Sequence, residues 1–287
     1  MRNLDDNTIT DAVIERVSGA PEPRTREICE ALVRHLHAFC KEIRPTQQEW
    51  RQGINFLTRV GAMCSSTRQE FVLLSDILGV SMLVDAINHA AGGAQTETTV
   101  LGPFYVENAP EKALGSFIAE GLEGQPMLVE GSVSDYAGNP VAGAIVDVWH
   151  SDDEGFYDVQ GEGGLADLTG RARFHADANG NFWFRSIVPR FYPIPYDGPV
   201  GDMLQAQRRH PYRPAHVHFM IAAPGFDTLV THLFIGGSPY LDSDVVFGVK
   251  RELVVGLEPQ PGGKTARGNT IDVDMQALRY DFVLAPV

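Results

Sequence analysis

Ahead of the Gly92-Gly93 pair, apolar residues recur every three or four positions; beyond about residue 98 they tend to recur every second position. One chain with two periods cannot form a single kind of layer, because a repeat near 3.6 belongs to the helix and a repeat of 2 to the strand. The 287 residues therefore read as an α+β protein. An N-terminal helical domain, residues 1–97, is expected to pack on a C-terminal antiparallel β-sandwich, residues 98–287. That length is ample for a sizeable core.

In the first part, Ile28, Leu32, Leu36, Phe39 and Ile43 form one apolar stripe, with His35 beside Leu36. Thr46 with Glu49, and Thr67 with Glu70, stand in capping-box positions that predict two helix starts. The helix opening at the second box is expected to run through "FVLLSDILGVSMLVDAINHA". It is apolar around most of its circumference, which predicts burial on several sides.

The second part reads as strands and turns. "MLVEGSV" alternates, with Met127, Val129 and Val133 on one face, and "AIVDVW" is dense enough for a buried strand. "RFHADANGNFWF" predicts a hairpin whose Asn179-Gly180 pair supplies positive φ. "AHVHFMIA" and "TLVTHLFI" flank the turn "APGFD", and "YDFVL" closes the chain. Two long Gly- and Pro-rich connections, "EGFYDVQGEGGLADLTG" and "PRFYPIPYDGPVG", are of the length that carries function in compact domains. There is no internal repeat and no low-complexity tract.

Composition narrows the partners. The net charge is −14 and no basic run exists, which argues against nucleic acid and anionic membrane surfaces. No apolar run is long enough for membrane insertion, and "MRNLDDNTIT" lacks an apolar signal core. Cys29, Cys40 and Cys64 fit neither a disulfide framework nor a zinc site, so a cytoplasmic location with reduced thiols is expected.

The stretch "RHPYRPAHVHF" carries the chemistry. His216 and His218, two apart on a strand, point to one face, while Val217, Phe219 and Ile221 point to the other. Such a pair is either structural or the beginning of a metal site. Pro211 and Pro214 stiffen its approach. The residues that follow exclude a cupin glutamate; H-E-x-x-H and G-x-S-x-G are absent, and "GEGG" lacks the Lys-Ser/Thr of a phosphate loop. Each long loop offers a tyrosine, Tyr157 and Tyr192, which alone would ordinarily be packing. Were two phenols to join two imidazoles, the metal suited to them is Fe(III), hard and acidic enough to displace phenolic protons.

Five segments together resemble the intradiol ring-cleavage dioxygenases of the catechol/hydroxyquinol branch. They are "TVLGPFYVENAP" (99–110), "GNPVAGAIVDVWHSDDEGFYD" (138–158), "FRSIVPRFYPIPYDGPVG" (184–201), "HPYRPAHVHFMIAAPG" (210–225) and "YLDSDVVFGVK" (240–250). With the helical part, the resemblance covers nearly the whole chain. It implies one Fe(III) per subunit, held by Tyr157, Tyr192, His216 and His218. Tyr192 and Arg213 become the catalytic residues, the first accepting a substrate proton and the second stabilising negative charge on the ring. Substrate-binding positions fall on Leu73 and Asp76, and on Val100, Gly102, Pro103 and Phe104. Ile194, Pro195, Arg213 and Val246 complete them.

Members of this branch form homodimers through the helical domain, with a phospholipid at the interface, and the same is expected here. Catechol-preferring members carry Thr-Thr-Gln where this chain has Val230-Thr231-His232, so the glutamine's role does not carry over. The Thr-His form, "IPYDGPVG" and "YLDSD" resemble hydroxyquinol members. The implied reaction joins benzene-1,2,4-triol and O2 to give 3-hydroxy-cis,cis-muconate, which tautomerises to maleylacetate. Catechol, chlorocatechol and chlorohydroxyquinol are the alternative substrates, and a transthyretin-like binding module is the alternative without redox chemistry. Asp76 is assigned to a third ring hydroxyl, whereas His35, His150 and His175 read as structural.

Overall fold

The protein is described by a computed structural model covering residues 3–65, 68–89, 93–160 and 168–287. The chain divides into two compact units at Arg59/Val60, near the end of the third helix.

In the first unit, α1 (Ile9–Val17) lies against α2 (Pro23–Ile43), and α3 (Gln47–Ala62) follows. Glu22 opens α2 by accepting the backbone N–H groups of Arg24 and Thr25, with Pro23 at the first helical position. Arg44, at φ 47°, ends it. The first expected capping box is present: the Glu49 N–H donates to Thr46 Oγ1 at 3.2 Å, and the Thr46 N–H donates to Glu49 Oε2 at 2.7 Å. Thr67 of the second lies outside the described residues. The α2 stripe is half exposed, from 51% at Ile43 to 62% at Leu32, so it is not a buried core of the first unit.

The second unit opens with a departure from expectation. The single predicted helix is two, α4 (Glu70–Ile77) and α5 (Val80–Asn88), because Gly79 adopts φ +72° and its N–H closes back on the Asp76 carbonyl at 2.9 Å. Only one face of α4 is buried, carrying Glu70, Leu73, Asp76 and Ile77. Phe71, Val72, Leu83, Val84 and Ile87 are exposed, so burial on several sides is not what the structure shows.

Two sheets follow. The first has the order β10 (Glu258–Gln260), β13 (Met275–Val283), β1 (Pro126–Ser134), β4 (Asn181–Ile187). The second has the order β3 (Arg171–His175), β2 (Ile145–His150), β7 (His216–Ala222), β8 (Leu229–Ile235), β9 (Val254–Val255). Pairing is mostly antiparallel, the β1–β13 and β8–β9 pairs being parallel. Short ribbons join β5 (Tyr192–Pro193) to β6 (Tyr212–Arg213) and β11 (Gly263–Lys264) to β12 (Thr270–Ile271). A helix, α6 (Pro199–Ala206), lies between β5 and β6.

The predicted β3–β4 hairpin is a corner instead. β3 pairs with β2 and β4 with β1, in different sheets, although a tight turn does close between Asp177 and Gly180. Gly180 alone takes positive φ, at 74°. Aromatic packing explains the choice: the Phe174 and Phe184 rings stack at 5.2 Å between the sheets, burying each strand against the opposite layer. Phe219 sits in the same core, fully buried, its ring 4.9 Å from that of Phe282. Phe219→Ala is expected to cost about 3–5 kcal/mol of stability, read as a lower denaturant midpoint with unchanged strand content.

Candidate metal centre

Strand β7 divides its residues by alternation. Val217, Phe219 and Ile221 enter the inter-sheet core, each 0% exposed. His216 and His218 face the other way and are equally hidden, at 1%. The register sets Trp149 of β2 and His232 of β8 on either side of His218. The Trp149 ring stacks on that imidazole at 4.6 Å, and His232 meets it edge-on at 4.1 Å.

Two connections bring the phenols. Tyr157 lies in the loop after β2, where the Asp152 carboxylate accepts the N–H groups of Glu154 and Phe156 and the Tyr157 N–H donates to Gln160 Oε1 at 2.8 Å. Its hydroxyl reaches His218 Nε2 at 3.0 Å. Tyr192 opens β5 and pairs directly with Arg213 of β6, which places phenol and guanidinium side by side. The Tyr192 ring is 5.3 Å from Tyr157 and 5.6 Å from His216. Tyr157, Tyr192, His216 and His218 are thus gathered at one buried point.

The charge states follow from burial. All three imidazoles are held well below the usual histidine range, by desolvation first and by the Arg213 charge and the neighbouring rings after it. Burial pushes the Tyr157 phenol well above its ordinary range and raises Tyr192 too, although Arg213 pulls the latter back. His216 Nδ1 lies 2.7 Å from the Pro214 carbonyl, which can only accept, so Nδ1 bears the hydrogen. The Nε2 lone pair then points inward, 3.1 Å from His218 Nε2. Neutral imidazole nitrogens and phenol oxygens converging in a dry site form a donor set that a hard trivalent cation suits. His232 lies close enough that its ring nitrogen falls within 4.8 Å of those of His216 and His218.

Beside the donors is a narrow recess. Helix α4 contributes Leu73 and Asp76 to it, and the loop before β1 contributes Val100, Gly102, Pro103 and Phe104. Ile194 and Pro195 follow from β5, with Arg213 and Val246 completing the wall. Every substrate-contact position expected from the sequence lines this one space. Gly102 has φ +77°, and a Cβ there would stand 3.1 Å from His218 Cε1. Burial raises the Asp76 carboxyl, while a hydrogen bond from Ser81 and the charge of Arg213 oppose that.

Asp244, in the segment "YLDSD", stands behind Arg213. It is buried and forks onto Arg213, Oδ1 to Nε at 3.2 Å and Oδ2 to Nη2 at 3.3 Å, while accepting the Gly248 N–H at 2.9 Å. Burial opposes the Arg213 charge, yet Asp244 and the phenols hold the guanidinium above its usual range. His232 Nδ1 faces Arg213 Nη2 at 3.4 Å. Nothing in the local sequence distinguishes Asp244 from Asp242; only the fold buries one and leaves the other out.

Known proteins resemble this chain over nearly its whole length. A family profile described as "Dioxygenase" matches residues 100–286, and one described as "Catechol dioxygenase N terminus" matches residues 22–96. The chain is 50% identical over 286 residues to a 6-chlorohydroxyquinol 1,2-dioxygenase of Cupriavidus pinatubonensis, covering 100% of this chain and 99% of the relative. It is 51% identical over 276 residues to a hydroxyquinol 1,2-dioxygenase of Rhizobium sp., covering 96% and 94%. The solved structure of a hydroxyquinol 1,2-dioxygenase from Pseudomonas putida superposes with a TM-score of 0.92 at 47% identity, covering 98% of this chain and 99% of that one. The chain belongs to the intradiol ring-cleavage dioxygenases, within their catechol/hydroxyquinol branch, a family of iron-dependent oxidoreductases.

Removing one partner of a buried ion pair leaves the other charge uncompensated, which typically costs about 3–5 kcal/mol. Asp244→Ala is expected to lose that much in denaturant unfolding. Asp244→Asn leaves the same charge uncompensated and turns its amide NH2 towards donors on one side, so it is expected to recover only part of that loss.

Proposed function

We propose that the chain cleaves hydroxyquinol between its vicinal hydroxylated carbons with O2, giving 3-hydroxy-cis,cis-muconate and, by tautomerisation, maleylacetate. The supporting observation is the convergence of Tyr157, Tyr192, His216 and His218 on one buried point beside a recess that contains Asp76 and Arg213. Those four donors would hold one Fe(III) per subunit. When bound, that ion would supply Lewis acidity that favours the doubly deprotonated, electron-rich form of the diol.

The chain's own groups account for the rest. As a phenolate when it holds the ion, Tyr192 would offer a basic oxygen beside the recess and is assigned one of the two diol protons, the other passing to a solvent-derived hydroxide. Arg213, clamped by Asp244, presents a fixed positive charge where negative charge develops on the ring. Asp76 is assigned to the third hydroxyl, since a buried carboxyl left without that partner disfavours a ring lacking it. Phe104 and Ile194 exclude water from the ring edge. Both oxygen atoms end in the product, and the substrate supplies all four electrons, so no external reductant enters.

A second substrate reading, chlorinated hydroxyquinol, is favoured by the chlorohydroxyquinol enzyme among the relatives. The functional division at residues 97/98, a cytoplasmic location and a homodimer with phospholipid at its interface belong to the same proposal. The half-exposed stripe of α2 supports the dimer, since monomers seldom leave such a patch uncovered.

Oxygen uptake by iron-loaded protein is expected to be fastest with hydroxyquinol, one O2 per ring, and slower with catechol; the reverse order would overturn the substrate assignment. Asp76→Asn is expected to narrow that preference. The loaded protein should be red to purple and the iron-stripped protein colourless, with Tyr157→Phe or Tyr192→Phe altering the visible band. A colourless loaded protein would favour a binding module. In sedimentation, the protein should run as a dimer that Leu36→Glu converts to monomer.

A further inference from the structure

One buried charge beside the centre belongs neither to the four donors nor to the recess wall. Arg171, the first residue of β3, is 3% exposed. Its Nε donates to Asp158 Oδ2 at 2.6 Å and its Nη2 to the other carboxylate oxygen, a bidentate fork. The remaining Nη1 donates to the Phe104 carbonyl at 2.9 Å. Asp158 directly follows Tyr157, and its carboxylate also accepts the N–H groups of Val159 at 2.8 Å and Thr169 at 3.1 Å. Phe104 stacks on the Tyr157 ring at 4.3 Å with 22° between the planes. One side chain rooted in a sheet thus grips both the loop that carries the Tyr157 phenol and the wall that covers its face. The strand it stands on is in register with the centre too, because Arg171 pairs across β2 with Trp149, whose ring lies on His218.

We propose that Arg171 is a positioning residue for the Tyr157 donor: its three-point fork, on Asp158 and on the Phe104 carbonyl, sets the angle at which the phenol oxygen meets the metal. This rests on the reading of Tyr157 as an iron ligand. A buried ion pair is weak evidence for stability, since packed apolar residues often replace it without loss. The shape of the contact is the stronger point. A guanidinium satisfies two loop segments at once through planar donors, whereas an ammonium concentrates its charge at one point. Groups that orient a metal ligand from behind typically govern metal affinity or activity by about 10–100-fold when changed.

The test uses the full chain loaded with iron, in four forms: unchanged, Arg171→Met, Arg171→Lys and Tyr157→Phe. The readouts are the position and strength of the visible phenolate-to-iron band, iron retained against a graded chelator, and the melting temperature with and without iron. Arg171→Met is expected to move or weaken the band and to loosen iron by about 10–100-fold. Arg171→Lys should restore little of either, because it returns the charge but not the fork. Should Arg171→Met fail to fold, Asp158→Asn, which leaves the Phe104 contact in place, is expected to shift the band in the same direction by less. A lowered melting temperature with band and iron affinity at wild-type values, in Arg171→Met or failing that in Asp158→Asn, would reduce Arg171 to a structural residue and overturn the proposal. A Tyr157→Phe protein with an unchanged band would sink the ligand reading itself, whatever Arg171 does.

Discussion

Desolvation of both faces of β7 is the constraint on which the rest of the second unit depends. A strand in a sandwich ordinarily shows one face to water, but here the histidine face is as dry as the valine and phenylalanine face. A buried imidazolium is expensive, so His216 and His218 are neutral and present lone pairs instead of charges. The same dryness keeps the phenols protonated in the bare protein. A site that is hard to charge by itself becomes, for that reason, a site that a highly charged cation can organise, because the ion brings the compensation the donors lack.

Loops cannot hold such donors in place unaided, and ion pairs with a buried carboxylate tie connecting segments to regular elements. Arg171 ties Asp158 beside Tyr157. Asp244 ties Arg213, which is itself zipped to Tyr192 through β5 and β6. Glu70 at the start of α4 pairs with Arg68 and accepts the Val200 N–H at 3.2 Å near the start of α6. In each case one partner stands on or next to a regular element and the other in a connecting segment or a helix end. Each buried carboxylate also accepts hydrogen bonds from backbone N–H groups, which offset the cost of its burial.

Much of this was legible in the residue order, and the failures have identifiable causes. The H-x-H alternation, the two tyrosine loops and the change of period can be read locally, since strand geometry forces residues two apart to one face. The recess positions came instead from resemblance between segments, which local periodicity could not have supplied. The helix break at Gly79 is hard to read locally because a lone glycine does not stand out within an apolar run. The β3–β4 corner was read as a hairpin because turn chemistry is identical in both; only the packing of Phe174 on Phe184 decides which sheet each strand joins. Asp244 and Arg171 are invisible as clamps in the residue order, since ion pairs joining residues 31 and 13 positions apart leave no mark in either neighbourhood.

Helix α4 shows how the recess depends on more than its lining. It has eight residues, too few to be stable alone in water. Its inner face supplies Leu73 and Asp76 to the recess, while Phe71 and Val72 on its outer side are half exposed. The helix is held at its start by the Glu70 bond to α6 and at its end by the Arg209 guanidinium, which donates to the Ile77 carbonyl at 2.7 Å. Arg209 also donates to the Val245 carbonyl at 2.9 Å, next to Val246 in the wall and to Asp244 behind Arg213. One cation therefore couples the helix end carrying Asp76 to the segment that steadies Arg213. The two polar groups that a substituted ring would meet are thereby set relative to each other by backbone carbonyls, which a change of pH cannot release.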